Sequence, residues 1–560
     1  MHQLHLLRIK SFLCFICLIK SACVTAQDNS FNEQLINQQQ RQQVLESRLK
    51  PPTQDVRFSD PGVDTGLSHF PQEKNCFVVH RVVLEGDDRI PGWLPLQRIA
   101  SDAMGKCLGG EGINLLMKRL QNRLISHGYI TTRVMAPEQN MKSGTVKLRV
   151  IPGNVRNVKL TGDDDIFLHT VFPAHSGTLF DLRDSEQGLE NLQRLPGTQA
   201  SIKIIPGETP GESDIEISRK KNKNWRTGIT LDDSATRSIG RYQAGVSLSL
   251  DNPFSLSDLF YISGSHDLYK GSGKGNRNLT THYSLPLGYW AFGITAWNYK
   301  YHQTVSGYSR DYLYSGRIKN INAQLSRVMH RGRNQKTTLT YDLQARESRN
   351  YLYDTEIEIQ RRRTSSWRFG LQHRHYFGKA TFDANISYQR GTRWFGALPA
   401  PEEYSGSATA LSKFVRTDMQ LNIPFNFRTQ QFRYNVRYLH QASTTPLTVQ
   451  EQLSLGNRWT VRGFDGERTL NASQGWFLRN DFAWRTPLPG QELYLGLDYG
   501  KVSGNGSQYL TGTHLAGSQL GVRGNAFNVN YDLFAATPLS KPDAFETSKL
   551  TLGFSMSWSY

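Results

Sequence analysis

The residues that first suggest chemistry form a glycine-rich stretch at 271–275, Gly-Ser-Gly-Lys-Gly. Loops of this kind can cradle phosphate groups with backbone N–H donors and a lysine. A phosphate-binding P-loop also needs an earlier glycine and a Ser or Thr directly after the lysine, and this sequence has neither. Because the stretch lies between two predicted strands, we interpret it as an exposed hairpin loop.

Two histidines, His373 and His375, are the best candidates for metal ligands because they share one face of a predicted strand. No third ligand accompanies them, and a catalytic zinc site needs three protein ligands. The chain also contains no HExxH and no GxSxG motif. We therefore predict that the protein is not an enzyme, with no catalytic, cofactor-binding or metal-binding residues and no cofactor.

The end of the chain indicates which type of secondary structure positions these residues. Residues 550–560 alternate apolar and polar side chains without a break, which predicts a β-strand with one apolar face. The apolar positions are Leu550, Leu552, Phe554, Met556, Trp558 and Tyr560. About eleven residues suffice for a tilted strand to cross a bilayer. Aromatic residues at the tip are typical of outer-membrane barrels, where lipid covers the apolar face.

The start of the chain is consistent with export. Arg8 and Lys10 precede an apolar run at 12–19 and a small-residue cleavage pattern that ends at Ala26, so residues 1–26 are predicted to be a secretory signal peptide. The apolar run is too short for an N-terminal membrane anchor, which must span about 30 Å of hydrocarbon.

The composition also fits a barrel with a water-filled lumen. Hydrophobic residues make up only 38% of the chain, and beyond the signal we find no apolar run near 18 residues long that would predict a transmembrane helix. The net charge of +18 could indicate nucleic acid. The basic residues are spread along the chain, however, apart from 361–363, so we assign them to the lumen, loops and lipid headgroups and predict no nucleic-acid partner.

Two cysteines remain after the signal peptide leaves with Cys14, Cys17 and Cys23. In an oxidising compartment, Cys76 and Cys107 are predicted to form one disulfide. By closing a loop of about 30 residues, this disulfide would add roughly 3 kcal/mol to the free energy of unfolding in the chain-entropy model.

Residues 27–50 are predicted to form an N-terminal helix, since 33–49 contains good helix formers and neither Gly nor Pro. The apolar stripe is thin, so this helix alone should be marginal, and we expect it either to dock on a polar surface or to be disordered. Pro51 and Pro52 end the helix, and the Pro- and Gly-rich composition of 51–75 predicts a loose linker.

Two similar units follow, 76–152 and 153–221, because residues 81–87 resemble residues 157–163. In the first unit the patterns predict a strand at 77–85, helices near 95–107 and 112–127, and strands at 129–136 and 144–151. In the second they predict a strand at 154–161, helices near 166–171 and 182–194, and strands near 199–205 and 213–219. Each unit is therefore expected to be a small α+β domain with helices on one face of its sheet.

From residue 222 to 560 the pattern changes to alternating strands and loops, as at 242–250, 431–438 and 526–533. The polar face of these strands repeatedly holds Arg, Asn and Asp, as a wet lumen requires. At roughly 20 residues per strand and connection, this length predicts a closed barrel of about 16 antiparallel strands. Closure removes the unpaired edges that lipid cannot satisfy.

This order of segments resembles the outer-membrane transporters of two-partner secretion, the TpsB or haemolysin-activator group (ShlB/FhaC/HecB-like) of the Omp85 superfamily. Residues 128–134 resemble the segment that closes the first POTRA domain of that group, and 189–196 with 210–214 resemble its second. Val-Arg-Gly-Phe at 461–464 resembles the signature loop tip of the superfamily, and Gly-Leu-Asp-Tyr-Gly at 496–500 resembles its partner strand. The two small units are then POTRA 1 and POTRA 2.

The resemblance implies that the loop formed by Val461, Arg462, Gly463 and Phe464 folds into the barrel and that Arg462 pairs with Asp498. The alternation of side chains along the strand gives an independent check. The apolar residues of 492–501 are odd-numbered and would face outward, so the even-numbered Asp498 must face the lumen. Gly496 and Gly500 flank it on that face and leave room for a loop. The alternative is that Arg462 is a solvated loop residue and Asp498 one lumen charge among many.

The resemblance further implies a protein-conducting pore of the Gram-negative outer membrane. Its periplasmic POTRA domains would capture a large exoprotein, and helix 27–50 would plug the resting lumen. Other expected partners are outer-membrane lipid and the barrel-assembly machinery, for which Phe554, Trp558 and Tyr560 would be the C-terminal signal. An outer-membrane insertase is the alternative, but insertases carry more POTRA domains. A porin would not need POTRA domains, and a barrel lipase would need a catalytic nucleophile, for which we find no motif in the sequence.

Overall fold

The computed structural model describes residues 34–50, 56–58, 69–162, 166–221 and 223–560. The predicted signal peptide, with Cys14, Cys17 and Cys23, lies outside this set, as do the first residues of the predicted plug helix and much of the predicted linker. Residues 34–49 form helix α1. Among the described residues, no helix is both long and apolar enough to cross a bilayer.

POTRA 1 is a three-stranded sheet covered by two helices. Its elements in chain order are β1 Phe77–Val78, β2 Arg81–Glu85, α2 Leu96–Ser101, β3 Cys107–Leu108, α3 Gly110–Ser126, β4 Arg133–Met135 and β5 Thr145–Ile151. The sheet order is β2-β5-β4, with β2 and β5 parallel. The core forms where the apolar stripe of α3 (Leu116, Leu120, Leu124) packs on Val146, Leu148 and Val150 of β5.

Three elements of POTRA 1 differ from the sequence expectation. The strand expected at 77–85 is split, because the backbone of Val79 bonds to Gly105 and Lys106 whereas His80 bonds to Gly144. The helix expected near 95–107 ends at Ser101, since Cys107 is paired with Val78 in a second small sheet. The strand expected at 129–136 is reduced to Arg133–Met135 by a turn that follows α3.

The end of the expected linker is also attached to POTRA 1. Phe70 packs on the core of this domain under the guanidinium of Arg119, and the carboxylate of Glu73 accepts hydrogen bonds from the backbone N–H groups of Gly109, Glu111 and Gly112 at 2.8 to 3.0 Å. A carboxylate at this position satisfies orphan donors of α3 and its dipole. Residues 69–75 therefore belong structurally to POTRA 1 rather than to a loose linker.

POTRA 2 repeats the plan of POTRA 1. Its elements are β6 Asn154–Thr161, α4 Leu168–Val171, α5 Leu182–Gln193, β7 Thr198–Pro206 and β8 Glu212–Lys221, with sheet order β6-β8-β7. The side chain of Asp181 caps α5 by accepting a hydrogen bond from the N–H of Arg183. Phe172, Phe180, Leu192, Ile215 and Ile217 form its core.

Sixteen antiparallel strands then close into a barrel, which confirms the predicted fold class. They are β9 Trp225–Asp232, β10 Gln243–Asp251, β11 Leu259–Asp267, β12 Lys274–Leu287, β13 Trp290–Ser306, β14 Asp311–Arg331, β15 Gln335–Leu352, β17 Arg362–Phe377, β18 Ala380–Thr392, β19 Lys413–Phe427, β20 Gln430–Ser443, β23 Gln474–Arg485, β24 Gln491–Ser503, β25 His514–Ala526, β26 Val529–Ser540 and β27 Thr551–Ser559. Strand β27 pairs with β9 and closes the ring. The short strand β16 Thr355–Glu356 pairs with the end of β15 and extends that hairpin, whereas β21 Leu453–Leu455 and β22 Leu470–Ala472 lie in a connection outside the wall.

The two ends of the barrel differ. Connections at the end next to POTRA 2 are tight, as between β12 and β13 or between β19 and β20, whereas the far end carries the long ones. The longest runs from β20 to β23 and contains β21 and β22, which pair with each other as a ribbon. This connection supplies the loop that folds back into the lumen.

Candidate functional site in the barrel lumen

The tip of the β20–β23 connection lies inside the barrel, against strands β23 and β24. Parity along β24 is as expected, with even-numbered residues buried inside and odd-numbered residues facing outward. Asp498 is therefore a lumen residue, and its carboxylate is completely buried by the incoming loop.

Arg462 forms a two-pronged ion pair with Asp498. Its Nε lies 2.6 Å from Asp498 Oδ2 and its Nη2 lies 2.7 Å from Oδ1, while its own backbone N–H donates to Oδ2 at 2.9 Å. The Arg462 side chain is only 3% exposed. This fork is the geometry in which an arginine and a carboxylate interact most specifically.

Two further charges complete the cluster. Arg462 Nη1 donates to Asp481 Oδ1 at 2.5 Å, and Arg479 lies 4.0 Å from Asp498 while its Nη1 donates to the backbone carbonyls of Arg458 and Trp459. Two cations therefore face two carboxylates, and the buried charges balance. A balanced, fully hydrogen-bonded set is the arrangement in which buried ions cost least.

The glycines of β24 make room for this loop. A Cβ on Gly496 would lie 2.5 Å from Arg462 Nη2, and one on Gly500 would lie 2.9 Å from the Val461 side chain. A larger residue at either position would have to displace the Arg462 guanidinium or the Val461 side chain.

A second pair of glycines allows a close backbone approach on the other side of the loop. Gly463 has φ +106°, and a Cβ there would lie 2.5 Å from the carbonyl oxygen of Thr537. A Cβ on Gly517 of β25 would lie 1.8 Å from the carbonyl oxygen of Arg462. Only glycine fits at Gly517 without moving the loop.

The two apolar residues of the tip anchor it in an apolar cluster. Val461 and Phe464 are buried, and the Phe464 ring packs edge-to-face on Phe545, with ring centroids 5.7 Å apart. The cluster also contains Leu439, Leu453, Leu455, Leu470, Ala472, Phe477, Val502 and Leu515. Phe545 lies in the β26–β27 connection, so the cluster joins two connections at the far end of the barrel.

Helix α1 docks in the lumen beside this loop, which resolves the alternative left open by the sequence. Its wall contacts are mostly between uncharged side chains: Gln34 donates to Gln303 at 2.7 Å, and Gln42 bonds with Asn278 and Thr280 at 2.9 to 3.2 Å. Arg41 donates to Gln243 and lies 3.5 Å from Asp232. Apolar contacts occur at both ends of the helix: Leu35 is in a cluster with Trp297, Tyr299 and Ile318, and Leu49 packs against Leu259 and Tyr261.

The helix also touches the loop, and again through amides. Asn37 Nδ2 donates to the carbonyl of Gly466 at 3.0 Å, and Asn457 Nδ2 donates to Gln40 Oε1 at 2.7 Å. These contacts connect the two segments that fill the lumen without using an ion pair.

Space remains between helix and wall on the opposite side. A cavity of about 480 Å³ separates α1 from strands β15 to β23. Five arginines line it: Arg346, Arg368, Arg416, Arg437 and Arg479. This half of the lumen is therefore wet and strongly basic.

At the other end of the lumen, helix α5 of POTRA 2 is fixed to the barrel rim. Arg331 of β14 donates to Glu190 at 2.7 Å, to Gln187 at 2.9 Å and to the carbonyl of Val56 at 2.7 Å. Arg194 donates to the carbonyls of Ser257 and Ser284. The segment 189–196 thus holds POTRA 2 against the tight turns of the barrel.

The junction between the two POTRA domains contains the largely buried carboxylate of Asp181, with Arg183 of its own helix as a cationic neighbour. Gly128 of POTRA 1 packs directly on Asp181, whose side chain accepts a hydrogen bond from the N–H of Arg183 in its own helix. Burial, reinforced by the nearby Asp184, raises the pKa of the Asp181 carboxyl to about 7.

The remaining sequence candidates lie elsewhere. Cys76 and Cys107 form a disulfide at the edge of POTRA 1. Residues 271–275 lie at the β11–β12 connection, and His373 and His375 are on the outward face of β17. Within the described residues, no group of three or more His, Cys, Asp or Glu side chains is placed to hold a metal ion.

The C-terminal aromatic residues face outward along the closing strand. Phe554 stacks on Tyr242, and Trp558 stacks on Tyr560 with ring centroids 6.1 Å apart. Tyr560 also contacts Trp225 of the first barrel strand.

Sequence reasoning missed Asp481, Gly517, Asn457 and Phe545 as parts of the site. Parity could have placed Asp481 in the lumen, because Asp481 faces Gly496 across β23 and β24. Nothing in the local sequence around Phe545 or Gly517 indicates where the loop tip will land.

Comparisons with known proteins agree with this architecture. Residues 211–524 match the family described as "Haemolysin secretion/activation protein ShlB/FhaC/HecB", residues 77–153 match the ShlB-type POTRA domain, and residues 153–206 match a second POTRA domain.

Individual relatives are similar over most of their length. The chain is 34% identical to the outer membrane transporter CdiB-2 of Burkholderia pseudomallei, over 93% of each chain. It is 27% identical to the hemolysin transporter protein ShlB of Serratia marcescens, over 84% of this chain and 81% of that one. The solved structure of CdiB from Escherichia coli superposes with a TM-score of 0.84 at 26% identity, over 94% of this chain and 98% of the other.

Proposed function

Because the chain belongs to the ShlB/FhaC/HecB family of haemolysin secretion/activation proteins, we propose that it is an outer-membrane pore for a large partner exoprotein, a haemolysin, adhesin or contact-dependent toxin. The partner would pass from the periplasm to the cell surface without nucleotide hydrolysis. The transporters CdiB and ShlB, to which the chain is similar, support this assignment.

The single observation that carries the proposal is how the lumen is filled. A closed sixteen-stranded wall surrounds a helix that is held mainly by amide contacts, with a wet cavity of about 480 Å³ beside it. Water can replace hydrogen bonds between uncharged groups at a net cost of only about 0.5 to 1.5 kcal/mol each. A plug fastened in this way can leave and return without unfolding the barrel.

The POTRA domains offer edges on which a substrate can be captured. In POTRA 2, β7 is paired on one side only, with β8, over nine residues. Its outer residues include Ile204 and Ile205, which are both more than one-third exposed. An extended segment of the partner would add to such an edge through backbone hydrogen bonds.

The loop at 461–464 is expected to hold the wall in shape while the helix moves. Its ion pair and apolar cluster lie on β23, β24 and β25, away from the strands that the helix contacts. Helix departure would therefore leave Arg462 and Asp498 in place.

The decisive experiment is co-expression with a candidate partner, a large secreted protein sought among the neighbouring genes, scored by the appearance of that partner in the medium. We expect secretion with the intact chain and none with Arg462→Ala. Normal secretion by Arg462→Ala would contradict the role assigned to the loop. An unaltered partner yield without this chain would contradict the transport function itself.

The plug role is tested separately with purified protein in planar bilayers. Deletion of residues 28–50 is expected to raise single-channel conductance, because α1 occupies much of the lumen. Conductance equal to that of the intact chain would contradict a plug.

The outward aromatic residues of β27 are proposed to be read by the barrel-assembly machinery. Strand β27 meets β9 over only five residue pairs, from Ser555 to Ser559, so the barrel closes through its last residues. Trp558→Ala with Tyr560→Ala should lower the amount of heat-modifiable barrel in the membrane, and an unchanged amount would rule this out.

A further inference from the structure

The outward face of the barrel carries a row of cations on four neighbouring strands. Arg277 of β12 pairs in register with Lys300 of β13, which pairs with Arg317 of β14, which pairs with Arg349 of β15. All four side chains point outward, because the residues beside them in each strand are the buried lumen residues. Lys319 lies one step below the row, opposite Asn298.

This row has little compensating charge. Glu347, which pairs with Arg349, is the one carboxylate on the outward face of these registers in the four strands, all of which are fully described. Within the described chain, the side chains of Arg277, Lys300 and Lys319 form no hydrogen bond or ion pair with protein groups. Lys300 lies within electrostatic reach of Arg277, Arg317 and Lys319.

Such a row is unfavourable for the isolated barrel. Adjacent strands are only about 4.8 Å apart, and like charges directly opposite each other destabilise a sheet. On strands β20 to β25, toward the same end of the barrel, the outward face carries aromatic rings rather than a row of cations. The ring contacts are Tyr438 on Trp476, Trp476 on Tyr499, and Tyr499 on His514. A partner with negative charge would remove the penalty that the row carries.

The row lies where lipid headgroups are expected. Below it, the outward residues are apolar, as in the register of Ala296 with Ile321 and the register of Ile294 with Ala323. Lys300 is twelve residues beyond Gly288 in the turn next to POTRA 2. That corresponds to roughly 40 Å along the strand and, at a tilt near 40°, to about 30 Å of height. The apolar band of an outer-membrane barrel is about 25 Å tall, so the row lies just above it, at the outer surface.

We infer that Arg277, Lys300, Arg317 and Lys319 form a binding site for the phosphate groups of a phosphorylated glycolipid in the outer leaflet. This inference rests on the outer-membrane location and is independent of transport. The acyl chains would lie along the apolar registers below, while the phosphates would meet the ammonium and guanidinium groups. Arginine suits this role because its planar fork matches phosphate oxygens.

The test uses full-length protein in detergent, titrated with bisphosphorylated lipid A and followed by native mass spectrometry. The variant is Arg277→Gln with Lys300→Gln and Arg317→Gln. Each cation near an anionic surface changes affinity by roughly fivefold, so the three together should weaken binding on the order of 100-fold. A matched control replaces three cations toward the POTRA end of the barrel, with Arg327→Gln, Lys379→Gln and Arg428→Gln, and should bind like the unaltered chain.

Two comparison ligands show whether the bound anion is a lipid phosphate or free phosphate. Lipid A stripped of both phosphates should bind far more weakly than the bisphosphorylated form, and millimolar inorganic phosphate should not displace bound lipid A. If Lys300→Gln alone is the only variant that folds, a loss of roughly fivefold is expected. Equal binding by the variant, equal binding of the stripped lipid, or full displacement by inorganic phosphate would each overturn the inference.

Discussion

Two segments fill the lumen of this barrel, and different forces hold them. The loop at 461–464 is fixed by a buried, balanced set of charges and by an apolar cluster, whereas helix α1 is fixed by amide hydrogen bonds, one long ion pair and one apolar side chain near each end. Breaking a buried ion pair leaves an uncompensated charge in a dry site. Breaking an amide contact beside a wet cavity allows water to take its place. We therefore expect the loop to remain in the wall and the helix to be removable.

The largest expected effect comes from removing the loop cation. Arg462→Ala leaves Asp498 and Asp481 buried without their partner, at a cost of about 3 to 5 kcal/mol. We expect a lower melting temperature of the purified barrel and little or no export. The exchange Arg462→Asp with Asp498→Arg should restore function only in part, because Asp481 would then face another carboxylate.

The matched control is Arg437→Ala. Arg437 also lies in the lumen and pairs with Asp418 at 2.7 Å, but both side chains are about one-third exposed. Its loss should cost about 1 kcal/mol or less. Equal damage from the two alanine variants would remove the distinction between a buried and a hydrated lumen pair.

The next effect concerns the backbone approach between loop and wall. Gly517→Ala would place a Cβ 1.8 Å from the Arg462 carbonyl oxygen, and the backbone must shift to relieve the clash. We expect about 1 to 3 kcal/mol of destabilisation in thermal unfolding. Gly293→Ala is the control, since its Cβ would meet its nearest neighbour at an ordinary 3.6 Å. If the two variants melted at the same temperature, the loop would not be pressed against β25.

A comparable effect is expected at Asp181, whose carboxylate accepts a hydrogen bond from a backbone N–H rather than from a guanidinium fork such as the one on Asp498. The folded-state pKa of Asp181, about 7, is above the value near 3.9 of an unfolded chain. The folded state therefore binds this proton more tightly, and the free energy of unfolding should fall as the pH rises from about 4 to about 7. Asp181→Asn keeps a capping side chain and removes the charge.

We expect this variant to stabilise the periplasmic domains at pH 8 by about 2 to 4 kcal/mol and to change nothing near pH 4. Scanning calorimetry of the full chain between pH 4 and pH 8 measures this difference in stability. The exposed Asp102→Asn serves as control and should leave the profile unchanged. A pH-independent gain in Asp181→Asn would show that the effect is packing rather than charge.

The smallest effect should come from the helix. Asn37→Ala with Gln40→Ala removes amide contacts between α1 and the loop, worth about 0.5 to 1.5 kcal/mol each. The open fraction of single channels should rise roughly threefold to tenfold per bond, while the melting temperature of the barrel stays constant. Ser47→Ala, whose hydroxyl bonds only within the helix, should change neither quantity. A large drop in melting temperature in the double variant would show that the helix is structural.

Features set by local periodicity and length were predictable from the sequence. The number of barrel strands followed from the length of the alternating region, and the inward orientation of Asp498 followed from the parity of β24. Helix α5 was expected at 182–194 and is found at Leu182–Gln193, because its cap and its apolar spacing are close in sequence.

Features set by distant partners were not predictable. The sequence could not decide whether α1 docks, because Gln42 finds its partners 236 and 238 residues away. It placed residues 69–75 in a linker, because the N–H groups that bind Glu73 belong to a helix that starts more than thirty residues later. The helix predicted near 95–107 was too long, because Cys107 pairs with Val78 in a two-stranded sheet.

The carboxylate of Glu73 on the end of α3 has a mechanical consequence. Together with the neighbouring disulfide, it ties the chain at residues 73–76 to the beginning of a 17-residue helix. The direction in which the chain enters POTRA 1 is therefore fixed relative to the axis of this helix, and the entering chain and the domain must move as one body. The chain at 56–58 is held separately, by the bond from Arg331 to the Val56 carbonyl and by the bond from the Phe58 N–H to Glu186, so withdrawal of α1 would pull on the barrel rim and POTRA 2 before it reached POTRA 1.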